Sequence, residues 1–169
     1  MTFSDLADSI TSRRRWVLQK TAGIAYDLRY DPCRSRVMTQ DQKVADLWQP
    51  ATLHPVQTMH IIIRPLPSIR WTVTVSSHAY VSVGMVLWHV RRRLRQPIRE
   101  YEWTMLSWSE RDRVNEAFEE RCEQSWGVYY ERTRGVRGID LLCGRTIFGG
   151  LKPSLKERNV WELVTVGPS

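Results

Sequence analysis

Cysteine is scarce in this chain: Cys33, Cys122 and Cys143 are the only three, and they are widely spaced. An odd, scattered set of thiols does not build a disulfide framework and suits a reducing compartment. Histidine is scarce too. His54, His60, His78 and His89 form no His-x-x-x-His pair, and no Cys-x-x-Cys occurs. A structural zinc site needs about four ligands at set spacings, so no metal or cofactor is expected. No run of about 18 apolar residues occurs, so no transmembrane helix is expected. The first residues lack the apolar stretch of a secretory signal. The expectation is a chain that is not secreted and resides in the cytoplasm or nucleus. There is also no Gly-x-Ser-x-Gly nucleophile elbow. An enzyme with an unrecognised site therefore ranks behind binding functions.

What is present is globular. A chain of 169 residues fits one domain, a size at which roughly two-thirds of the unfolded surface is buried on folding. The apolar fraction is 42%, and eight tryptophans make an aromatic core or an aromatic partner surface. Net charge is +7, from 25 basic and 18 acidic residues. The lysines are Lys20, Lys43, Lys152 and Lys156, and every other basic residue is arginine. Arginine favours fork-like pairing with carboxylate or phosphate and stacking on aromatic rings. This balance suits a protein partner and permits nucleic acid.

Residues 1–20 form a polar, basic segment containing Arg13, Arg14 and Arg15, where Leu6, Ile10 and Trp16 have the spacing of a short amphipathic helix. The arginine triplet reads as a solubilising tail or as a nuclear address. Residues 21–169 read as a single α+β domain. Ile24, Tyr26, Leu28 and Tyr30 alternate with polar residues, as in a half-buried strand. Met59–Arg64 and Ile69–Val75 flank Pro65-Leu-Pro-Ser68 and predict a hairpin. Ser82 is an N-cap candidate. Val83, Val86, Leu87, Val90 and Leu94 follow at helical spacing, with Pro97 as the stop. A second helix is predicted from Ser109, with Asp112 completing a capping box. Its inner face carries Val114, Ala117, Phe118, Arg121, Cys122 and Ser125. The predicted fold is a mostly antiparallel sheet of about five strands, near residues 24–30, 58–64, 69–76, 139–143 and 160–166. It packs against two main helices, 83–95 and 110–126.

The segment 135–151 is the most distinctive. Ile139–Cys143 is apolar except for Asp140 and is fenced by Gly135, Gly138, Gly144, Gly149 and Gly150. Glycines supply positive φ, and the apolar run between them reads as a short buried strand.

Two residue sets are site candidates. Arg91, Arg92, Arg93 and Arg95, with Arg99 nearby, make a phosphate-contacting helix face, or simply a solvated last turn where cations suit the helix dipole. The second set is Asp27, Arg29, Arg137 and Asp140. Asp140 within an apolar run needs a partner, with Arg137 and Arg29 as the leading ones. A carboxylate pair could do acid–base work, but a structural polar network is the better-supported reading, and no catalytic residue is assigned. For most of Trp71, Trp103, Trp108, Trp126 and Trp161 core packing is the default role, against stacking on bases or sugars.

From about Tyr26 to Val164 the chain resembles the fungal, mainly basidiomycete, DUF6699 domain family of unknown function. The resemblance rests on Tyr26–Pro32, Ile69–Val75, Val81–Leu87, Ala117–Arg121 and Gly138–Leu151, closed by Trp161-Glu-Leu163, in that order. The family usually has Thr and Asp where Ser82 and Met85 stand. The resemblance implies a shared fold and no known activity. The function expected is a non-catalytic interaction module that binds protein. Nucleic-acid binding through the Arg91–Arg99 face is the alternative.

Overall fold

In the computed structural model, residues 24–167 are described apart from positions 35, 40, 155, 156 and 158. The 1–20 segment, with Arg13–Arg15 and Trp16, lies outside the described residues. The elements run β1 (Ile24–Asp27), β2 (Met38–Thr39), β3 (Thr58–Ile63), β4 (Trp71–Ser76), α1 (Val83–Leu94), α2 (Glu100–Thr104), α3 (Trp108–Glu123), α4 (Val128–Thr133), a 3-10 turn (Asp140–Leu142), β5 (Ile147–Pro153) and β6 (Val160–Val166). The sheet order is β2-β1-β5-β6-β3-β4. Its pairings are antiparallel except for β3 with β6, which run parallel. The protein is thus an α+β domain with a mostly antiparallel sheet.

The hairpin forms as its alternation predicts. Ile63 pairs with Trp71 and Thr58 with Ser76, so Trp71 and Val75 point into the core while Thr72, Thr74 and Ser76 stay exposed. α1 packs its whole apolar stripe: Val83, Val86, Leu87, Val90 and Leu94 are all buried. The Ser82 hydroxyl accepts the Met85 N–H at 3.3 Å, capping the first turn. α3 starts slightly earlier than predicted. Its cap is Ser107 rather than Ser109, and Glu110 rather than Asp112 closes the box, accepting the Ser107 N–H at 2.8 Å. Glu reaches back to the cap backbone more readily than the shorter Asp. The helix ends at Glu123, before the predicted 126.

The largest departure is at 139–143. The run is buried, but it is a 3-10 turn and not a strand. Leu142 N–H bonds to the Ile139 carbonyl at 3.1 Å and Cys143 N–H to the Asp140 carbonyl at 3.0 Å. These local bonds occupy the donors that a strand would offer to a neighbour, and burial alone does not separate the two states. Cys143 closes the turn with φ 48°. The strand lies further on, at β5, through Gly149 and Gly150, two of the glycines that fence the run. Gly150 has φ 110°, and the register shifts between Phe148 and Gly150 as the β5–β6 ladder accommodates a bulge. A Cβ at Gly149 would come within 3.2 Å of Val164 on β6, so glycine there permits close strand packing.

Candidate functional site

α1 organises the polar chemistry of the molecule, and its arginines have different fates. Arg93 lies with its guanidinium 3.8 Å from the Trp71 ring centroid. Its Nη2 donates to Glu102 Oε1 at 2.8 Å. That carboxylate is only 2% exposed and also accepts the Trp71 indole N–H at 2.6 Å, while its Oε2 takes the Arg99 backbone N–H at 2.7 Å. Arg91 approaches Asp31 at 3.6 Å, with its side chain 14% exposed. Two of the arginines expected to project into solvent are therefore held against the protein. Helical periodicity places them off the apolar stripe, but the turn after β1 and the short helix α2, which the pattern did not show, cover that side. Arg92, Arg95 and Arg99 are exposed, and Arg92 stacks over Trp88 at 5.2 Å.

The second predicted set is divided. Arg29 chelates Asp27, with Nη2 to Oδ2 at 2.7 Å and Nε to Oδ2 at 2.9 Å. This contact pushes the Arg29 pKa up. Arg29 also reaches Gln124 Oε1 at 2.9 Å. Asp140 is buried, but its side-chain partner is Arg121 rather than Arg137 or Arg29. Arg121 Nε meets Oδ1 at 2.6 Å and Nη2 meets Oδ2 at 3.0 Å. Arg137 supplies its backbone N–H to Oδ2 at 2.8 Å. Its guanidinium turns to Glu131, Nη1 to Oε2 at 2.9 Å. Arg121 also holds Glu131 at 2.5 Å and the Gly135 carbonyl at 3.1 Å. It is the hub that ties α3 to α4 and to the 3-10 turn. The signal was available: an arginine among the inner-face residues of a helix has to bring an acidic partner with it.

Two concavities flank α1. The first is an apolar groove of about 550 Å³ between α1 and the 32–48 segment, lined by Pro32, Val37, Leu47, Trp48, Met85 and Trp88 among others. Gly84 N–H bonds to the Leu47 carbonyl at 2.8 Å, and a Cβ at Gly84 would lie 3.1 Å from that oxygen. Glycine here lets the segment lie directly on the helix. Trp48 is 82% exposed and Trp88 39%. Arg36 and His89 also line the groove, and among the described residues no carboxylate does. Burial, then Arg92, lowers the His89 pKa. The second concavity is a cleft at the C-terminal end of α1, lined by Arg29, Arg95, Arg121 and Arg137 among others.

Of the tryptophans expected to pack in the core, Trp71 and Trp161 are buried, whereas Trp108 and Trp126 are fully on the surface. Among the described residues no group of three or more His, Cys, Asp or Glu side chains is placed to hold a metal ion, and no helix is long and apolar enough to cross a membrane.

The architecture defines an α+β domain whose Arg-rich helix lines an apolar groove and, through its C-cap Arg95, reaches a guanidinium-lined cleft. The chain belongs to the family of unknown function DUF6699, whose family model matches residues 24–160. No curated protein and no solved structure matches it.

Proposed function

We propose that the domain is a non-catalytic interaction module that binds protein, and that the groove between α1 and the 32–48 segment receives the partner. The observation that carries this reading is the pair of exposed indoles, Trp48 and Trp88, on one apolar groove. Clustered exposed apolar surface marks interaction sites, and tryptophan and arginine are the side chains that most often anchor them. Arg36 in the lining and Arg92 stacked on Trp88 add positive charge. The partner segment that fits has an apolar anchor flanked by Asp or Glu. The setting of this proposal is the cytoplasm or nucleus of a fungal cell, in keeping with free Cys33, Cys122 and Cys143.

Selection from a phage-displayed random peptide library tests it. Enriched peptides carry an aromatic or aliphatic anchor beside acidic residues, and synthetic copies bind the wild type at least tenfold more tightly than Trp48→Ala/Trp88→Ala. No enrichment, or equal binding by the folded double variant, contradicts the proposal.

Nucleic-acid binding through Arg91, Arg92, Arg93, Arg95 and Arg99 is the second reading. It has less support because Arg91 and Arg93 already have acidic neighbours within the fold. Each phosphate contact adds about one to the log–log salt slope. The exposed arginines Arg92, Arg95 and Arg99 alone set a slope of about three on a mixed-sequence duplex. A slope of about three or more that collapses in Arg92→Glu/Arg95→Glu/Arg99→Glu would promote this reading over the first.

A further inference from the structure

The cleft at the end of α1 has a volume of about 240 Å³, and its walls bring together Arg29, Arg95, Arg121 and Arg137 with a single carboxylate, Glu131. The bonds already made account for most of these groups. Arg29 is held by Asp27 and Gln124. Arg121 is held by Asp140 and Glu131. Arg137 reaches Glu131 through Nη1. Two donors remain. Arg95 forms no ion pair among the described residues and stands exposed at the rim. Arg137 Nη2 has no hydrogen-bond partner among the described residues, although the residue is only 6% exposed. A buried guanidinium nitrogen without an acceptor is an unfavourable arrangement that an incoming acceptor relieves.

The charges agree with the geometry. Four guanidinium groups meet three carboxylates, those of Asp27, Glu131 and Asp140. The proton affinity of Arg95 is lowered by burial first and then by Arg91 and Arg137, with Glu131 opposing. Arg91 and Arg137 both disfavour the charge on Arg95, so an anion beside it is favoured. Guanidinium forks match the paired oxygens of carboxylates and phosphates. The volume is below the roughly 300 Å³ at which drug-sized pockets begin, which suits a small anionic group.

We propose that this cleft is a binding site for a small oxyanion, a phosphate monoester or a carboxylate, held between Arg95 and Arg137. Arg137 Nη2 is covered by neighbouring atoms, so the oxyanion engages it after a small turn of the guanidinium. The Arg95 side chain closes the site from the rim. The cleft is separate from the apolar groove, and the two can fail independently.

The test titrates the full chain with inorganic phosphate and, separately, with acetate, at constant ionic strength against chloride. Amide and arginine Nε–H shifts in two-dimensional NMR report binding at Gly135–Ile139 and at Arg137. Saturable shifts confined to the cleft are expected, and Arg95→Gln, an exposed position without a partner, weakens binding at least tenfold while leaving the remaining spectrum unchanged. Arg70→Gln, exposed on the hairpin and outside the cleft, binds as the wild type does. Saturation by phosphate alone identifies a phosphoryl ligand, and saturation by acetate alone identifies a carboxylate. Saturation by neither probe, full binding by Arg95→Gln, or an equal loss in Arg70→Gln overturns the proposal.

Discussion

Glu102→Ala is the perturbation with the most specific consequence. Glu102 is 2% exposed and receives three donors: the Trp71 indole, the Arg93 guanidinium and the Arg99 backbone N–H. Removing one member of a buried ion pair costs about 3–5 kcal/mol because the other charge stays behind. The Arg93 side chain is 18% exposed and remains over the Trp71 ring, so its share lies toward the lower end, about 3 kcal/mol. The stranded indole N–H adds about 1 kcal/mol. Arg99 is exposed, so its amide recovers water. The total is about 4 kcal/mol, equivalent to a fall in Tm of roughly 10–15 °C for a domain of this size. Urea unfolding followed by tryptophan fluorescence measures it. Replacing both charges, Arg93→Met with Glu102→Leu, leaves no uncompensated ion, and the double variant should lose only about 1–2 kcal/mol. A loss below about 1 kcal/mol in Glu102→Ala, or a double variant as damaged as the sum of the single ones, would refute the reasoning.

Three further outcomes follow from the same contacts. Gly138→Ala places a Cβ 3.1 Å from both the Leu94 Cα and Trp71 Cη2, so thermal unfolding should show a loss of about 1–3 kcal/mol from overpacking. Asp140→Ala leaves Arg121, whose side chain is 14% exposed, sharing Glu131 with Arg137, and should cost about 3 kcal/mol in urea unfolding, the lower end for a broken buried pair, while Asp140→Asn, which still accepts from the Arg137 amide, should cost less. His89 has its pKa lowered from the ordinary 6.5, by burial and then by Arg92. The unfolded chain therefore takes up a proton first as pH falls, and stability declines from about pH 6.5 down through the lower folded-state pKa; His89→Gln should remove that decline, and an unchanged pH profile would count against it.

The regular parts of the fold were legible in the sequence where one periodicity met one kind of burial. The α1 stripe has five apolar residues at helical spacing and an N-cap, and all five are buried. The β3–β4 hairpin alternates on one open face. The glycine-rich segment misled because glycine has two uses. Gly135 and Gly144 supply positive φ, with values of 67° and 82°, whereas Gly138 and Gly149 are required by close neighbours, which no local pattern records. Asp140 looked like an intruder in a strand, but it organises a turn by accepting the Arg137 amide. The same limit applies to the candidate sites. Sequence separated the Arg91–Arg99 run from Arg29 and Arg137, whereas the fold puts Arg95 beside them in one cleft. The groove was not legible at all, because Trp48 and Trp88 are 40 positions apart and meet only when the 32–48 segment lies along α1.

The central claim is that the domain binds protein through that groove, and affinity purification from the native cell with nuclease treatment tests it most directly. Wild type and Trp48→Ala/Trp88→Ala are compared, recovered proteins are identified by mass spectrometry, and the purified partner is then rebound in isolation. The account predicts a partner that survives nuclease, disappears with the double variant, and rebinds wild type with an affinity the double variant lacks. Recovery that depends on nucleic acid, or a partner retained equally by the folded double variant, would contradict it.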